Sequence, residues 1–122
     1  MGRCTGEGSM VAKQFIPERG DIAWLSFNPV RGHEQSGMRP AVVVSTKGYN
    51  AKSGLALVCP ITSQAKGYPF EIPISTADVE GVILADQVRS IDWNERRLQR
   101  IGSLPPAPLA DLQEYLRRMV FE

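Results

Sequence analysis

The sequence has few of the residues that thiol and metal chemistry use. It holds one histidine, His33, and two cysteines, Cys4 and Cys59, among 122 residues. One histidine and two distant cysteines do not make a zinc ligand set. Its acidic residues are too scattered to cage Mg²⁺ in an obvious way, so no metal or other cofactor is expected. Cys4 lies in a glycine-rich stretch and Cys59 in an apolar run. A disulfide between them is not expected, and a reducing, cytoplasmic setting fits. No apolar run approaches the roughly 20 residues of a membrane-spanning helix, and no apolar segment of a signal peptide stands near the N-terminus. Charge of one sign is missing too: 14 Lys and Arg against 13 Asp and Glu leave a net charge of +1. A polyanionic partner would therefore have to be held by a local basic cluster rather than by the field of the whole molecule. There are no internal repeats and no low-complexity core segments.

What is present is ordinary in bulk. The hydrophobic fraction is 43% and the charged fraction 22%, as in soluble globular chains, and the length suits one domain with a modest core. Gly8-Ser9-Met10 resembles a cloning junction. Residues 1–9 are thus expected to be a disordered leader, and residues 10–122 a single domain.

Short β-forming runs separated by turn residues dominate the chain. Asp21 to Phe27 reads as a strand ended by Asn28-Pro29, since proline cannot donate to a ladder. Ala41 to Ser45 and Leu55 to Cys59 are apolar on both faces and should be central, the second stopped by Pro60. Phe70 to Ile74 alternates, and its Pro73 predicts an edge. Lys47 to Gly54 reads as a wide turn, Ser75 to Asp78 as an N-cap with a short helical turn, and Val82-Ile83-Leu84 and Gln87 to Ile91 as short strands. Leu98 to Leu104 is ambiguous and is taken as a final strand. Pro105 to Pro108 then opens a helix, where proline is tolerated. Leu109, Leu112, Leu116, Met119 and Val120 share its apolar face. Asp111 near its start and Arg117 and Arg118 near its end suit the helix dipole. The spacing is too tight for βαβ crossovers, so the chain should be mostly β, with an antiparallel sheet and a C-terminal α-helix.

Three polar clusters adjoin the strands: Glu34 to Arg39, Thr62 to Lys66, and Asp86-Gln87 with Arg89. The first, within Gly32 to Pro40, runs straight into the Ala41 to Val44 strand, and a polar loop on a rigid sheet is a common place for a site. These residue types suit phosphodiester cleavage. Glu34 could act as a base or simply cap a loop amide. Arg39 could clamp two phosphate oxygens with its planar fork or pair with Glu34 on the surface. Thr62 could donate to a phosphate oxygen or cap a turn. A mechanism with two histidines is unavailable. Without a metal-activated water the nucleophile must come from the substrate, and only RNA carries a 2′-hydroxyl. Phe27, beside the loop, is the better base-stacking residue. Trp24 and Trp93 read as core or interface packing, His33 as exposed and incidental, and Arg96, Arg97 and Arg100 as a solvated face.

Five segments in order carry a family resemblance: Gly20-Asp21-Ile22-Ala23-Trp24, the Glu-Gln-x-Gly-x-Arg-Pro of the Gly32 to Pro40 loop, Pro60 to Gln64, Lys66 to Phe70, and Ala85 to Ile91. Together they resemble the MazF/PemK family of toxin endoribonucleases, from about Pro17 to the C-terminal helix. The resemblance implies an SH3-like antiparallel β-barrel with short helical insertions and a homodimer. It also implies metal-independent, sequence-specific cleavage of single-stranded RNA such as mRNA, leaving a cyclic phosphate and a 5′-hydroxyl. A cognate antitoxin would block the RNA groove. Carried onto this sequence, Arg39, Thr62 and Glu34 match catalytic positions, and Phe27, Gln35, Ser63, Gln64 and Gln87 match positions along the RNA path. Met38 stands where some relatives have histidine and His33 where some have serine, departures that bear on the sequence cleaved. Two rival readings stay open: a toxin-fold module that binds a protein such as DNA gyrase, and one that binds RNA or peptide without cutting.

Overall fold

The structure, a computed structural model, describes residues 15–26 and 38–121. The expected leader and the loop residues 27–37, with Phe27, His33, Glu34 and Gln35, lie outside the described residues. In chain order the elements are β1 (Asp21–Ser26), β2 (Met38–Val43), α1 (Lys47–Ser53), β3 (Leu55–Thr62), β4 (Glu71–Ser75), β5 (Glu80–Leu84), β6 (Arg89–Asp92), β7 (Gln99–Ser103) and α2 (Pro106–Phe121). Every strand pairing among the described residues is antiparallel. The sheet runs β4-β5-β3-β2-β1-β7, and β6 pairs with β3. The sheet curls into a half-barrel closed by the C-terminal helix, which is the expected SH3-like β class.

β3 causes the curl. On one side Val58 to Pro60 pair with β2. On the other, Leu55 to Val58 pair with β6, and Ile61 and Thr62 pair with β5. The sequence predicts that Pro60 ends this strand, yet the strand continues to Thr62. Pro60 falls between the two ladders of the second side, where a residue without an N–H costs no bond. Side chains alternate across β3, so it feeds two cores. Ile22, Val42, Cys59, Ile61 and Ile83 pack on one face with Leu112 of α2. Leu25, Ala41, Val43, Ala56, Val58 and Ile91 pack on the other. Each buried isoleucine, leucine or valine contributes roughly 1.5–3 kcal/mol.

Other local expectations are corrected. Lys47 to Gly54 is a capped helix rather than a turn: the Thr46 side chain accepts from the Tyr49 N–H, and the Gly54 N–H donates to the Asn50 carbonyl. Its polar look misleads because it buries only Asn50. The Asn50 side chain donates to the Pro17 carbonyl at 2.8 Å and accepts from Ser45 Oγ at 2.5 Å. Ser75 to Asp78 forms no helix. Thr76 Oγ1 accepts from the Asp78 and Val79 N–H groups, closing the β4–β5 connection. On α2, Leu112 is buried and Leu109, Tyr115 and Leu116 pack on the core, but Met119 and Val120 are exposed. Pro73 does lie on an edge strand, β4. Arg96 and Arg100 are not a free solvated face. Arg96 donates to the Ser26 carbonyl at 2.8 Å, and Arg100 to Asp21 Oδ1 at 3.0 Å.

Candidate active site

Strand register brings Arg39 and Thr62 together. Arg39 pairs with Leu25 of β1. Ala41 pairs with Pro60, and Arg39 and Thr62 each lie two residues beyond that pair, on the same face of their strands as its members. Both residues line one cleft of about 450 Å³ with Trp24, Ser63, Gln64 and Glu80. Arg39 is exposed, and among the described residues no partner to its guanidinium is found.

Thr62 takes one of the two roles its sequence context suggests and leaves room for the other. Its Oγ1 accepts from the Gln64 N–H at 3.1 Å, so it does cap a turn. A hydroxyl has one hydrogen and two lone pairs, so this bond leaves its hydrogen to donate outward. The position of Thr62 depends on a close approach. A Cβ at Gly81 of β5 would run into the Thr62 carbonyl and lie 3.3 Å from the Ser63 Cα. Only glycine lets β5 pass so near the site residue.

A second, smaller cleft of about 230 Å³ adjoins the first and shares Thr62 and Gln64 with it. Gln87 opens onto it, as do Lys66, Tyr68, Phe70 and Asp86. The Gln87 backbone N–H donates to the Leu84 carbonyl at 3.1 Å, which sets the turn after β5. Arg39, Thr62, Ser63, Gln64 and Gln87 therefore fall along two connected clefts. Glu34, Gln35 and Phe27 are outside the described residues.

Beneath this surface Cys59 is a buried free thiol. Burial first, and the negative charge of Asp86 second, push its pKa up to about 12. It is thus a core hydrophobe, not a nucleophile. Among the described residues no three metal-ligating side chains lie together.

Comparison with known proteins decides the family. The model of the PemK-like, MazF-like toxin of type II toxin–antitoxin systems matches residues 18–120. The chain belongs to this family. Within it, the chain is 46% identical over 99 residues to the endoribonuclease toxin MazF of Escherichia coli K12, covering 81% of this chain and 89% of that one. A MazF crystal structure from Deinococcus radiodurans superposes with a TM-score of 0.79 at 43% identity, covering 89% of this chain and all of that one. A MazE–MazF complex from the same organism gives 0.80 at 44% identity, covering 88% and 97%.

Some residues of these clefts were not singled out from sequence as site residues. Trp24 lines the Arg39 cleft, although it reads as packing in sequence, because a tryptophan on a strand looks the same either way. Glu80 lies in the same cleft but gives no sequence signal, since it meets Arg39 and Thr62 only through the pairing of β5 with the distant β3. Lys66 belongs to the polar cluster Thr62 to Lys66, whereas Tyr68 and Phe70 enter the site reading only as part of the family motif.

Proposed function

We propose that this chain is an endoribonuclease toxin that cleaves single-stranded RNA without a metal ion, works as a homodimer, and is silenced by a cognate antitoxin covering its RNA groove. The observation that carries the reading is the shared cleft of Arg39 and Thr62. A guanidinium without a partner among the described residues and a hydroxyl with a hydrogen to donate, lining one cleft, suit a phosphate whose charge is growing. The family match and the curated relatives named as endoribonucleases support the same conclusion.

A base removes the proton of the 2′-hydroxyl, O2′ attacks phosphorus, and the P–O5′ bond breaks. The products are a 2′,3′-cyclic phosphate and a 5′-hydroxyl, the latter taking a proton from water or another residue. An arginine side chain donates hydrogen bonds but does not give up its proton in proteins, so the role proposed for Arg39 is to stabilise the phosphorane, with Thr62 donating to a non-bridging oxygen. Glu34 is the proposed base. Ser63, Gln64 and Gln87, with Gln35 and Phe27, hold the flanking nucleotides.

Incubation with single-stranded RNA in EDTA, followed by end mapping, tests this. Cyclic phosphate and 5′-hydroxyl ends at recurring short sequences are expected. RNA left intact at high protein concentration across several sequences would reject it.

A further inference from the structure

A carboxylate holds the turn that follows Gln64. Glu71, at the start of β4, accepts from the Lys66 N–H at 3.0 Å to Oε1 and 3.1 Å to Oε2, and from the Gly67 N–H at 2.9 Å to Oε1. Successive amides turned towards one anion form a concavity suited to negative charge, and here the chain's own carboxylate fills it. Gly67 sits at φ 82°, a left-handed conformation that favours glycine. A Cβ there would meet nothing within 4 Å, so the backbone shape and not crowding asks for glycine. The far side of the turn is fixed as well. The Glu71 N–H donates to the Tyr68 carbonyl at 3.0 Å, and the Tyr115 hydroxyl of α2 donates to the Pro69 carbonyl.

This scaffold presents Lys66 to the second cleft, beside Thr62, Gln64 and Gln87. A lysine side chain is long and loses rotamer freedom when it binds. Fixing its backbone narrows the volume its ammonium must search. Of the two carboxylates in this cleft, Glu71 and Asp86, that of Glu71 is taken up by the amides.

We infer that Glu71 is a positioning residue: by fixing the Lys66–Gly67 turn it aims the Lys66 ammonium at the phosphate of a nucleotide next to the scissile one. The inference rests on the proposed binding of RNA in this groove. Glu71 itself touches no RNA.

The test is a binding cycle with a random-sequence single strand carrying 2′-fluoro in place of each 2′-hydroxyl, which cannot be cut by internal attack. Lys66→Ala should weaken binding about three- to tenfold and lower the slope of log Kd against log salt by about 0.7, the value for one lost contact to a single strand. Glu71→Ala should show both changes, and the double variant should bind within about twofold of Lys66→Ala alone. Glu71→Gln keeps an oxygen that can accept from both amides and should recover most of the loss. Losses that multiply in the double variant, an unchanged salt slope in Glu71→Ala, or a Glu71→Gln as weak as Glu71→Ala would overturn the inference. Should Glu71→Ala fail to fold, Gly67→Ala disturbs the same turn and should lower the slope likewise; an unchanged slope there also overturns it. A wild type that binds this strand yet cuts no RNA sinks the cleavage reading and leaves the cycle to decide on Glu71. A wild type that binds no single strand sinks the inference about Glu71 even if RNA is cut.

Discussion

Arg39 owes its usefulness to what surrounds it. Arg19, Arg96, Arg100 and Arg118 each spend their guanidinium on a carbonyl or carboxylate of the fold, whereas Arg39 has no such partner among the described residues and opens onto a cleft. Removing it should cost catalysis more than stability. For Arg39→Ala, kcat is expected to fall about 10²–10³-fold, as for loss of one charge-stabilising donor, with thermal unfolding little changed. Arg39→Lys should recover only part, since a point charge cannot engage two phosphate oxygens. Cys59 gives a second prediction at this scale. Its folded pKa is raised to about 12, above the ordinary thiol value of about 8.5. The unfolded chain loses that proton first. Stability from this group is therefore complete below about 8.5 and is lost as pH rises from there towards about 12. The urea midpoint of the wild type should fall more steeply across that window than that of Cys59→Ala.

At the scale of elements, β3 and β5 together place the site. Gly81 marks where they nearly touch, and Gly81→Ala puts a methyl against the Thr62 carbonyl. A loss of about 1–3 kcal/mol is expected from such overcrowding. Cleavage should fall further than the unfolded fraction explains, because Thr62 and Ser63 shift; chemical denaturation and initial rates on the same sample check both. The central strands, the edge at Pro73 and the helix after Pro105 were legible in sequence because each is written in local pattern. The run through Pro60 was not, since it depends on which neighbours β3 has on each side. α1 was missed because its stability comes from caps and from one buried asparagine rather than from an apolar stripe. That Arg39 and Thr62 share a cleft could be read only through the family motif: neighbouring strands β2 and β3 bring together positions that no local pattern connects. Glu80 had no local signal at all.

Across the whole molecule the near-neutral charge of +1 gives no general pull on nucleic acid, so binding must come from the cations and dipoles of the two clefts. α2 buries Leu112 but leaves Met119, Val120 and Phe121 exposed at its end. Its Glu114 accepts from Arg117 and Arg118, and these bonds hold the carboxyl down to about 2. Among the described residues no helix is long and apolar enough to cross a membrane. In the proposed reaction the substrate's own 2′-hydroxyl is the nucleophile, attacking a phosphate held by Arg39 and Thr62. An oligoribonucleotide carrying a single deoxyribose on the 5′ side of the mapped cut measures this directly. This strand should bind as the all-RNA strand does and stay whole at that position; a cut there, leaving a linear 3′ end, would rule out attack by the 2′-hydroxyl.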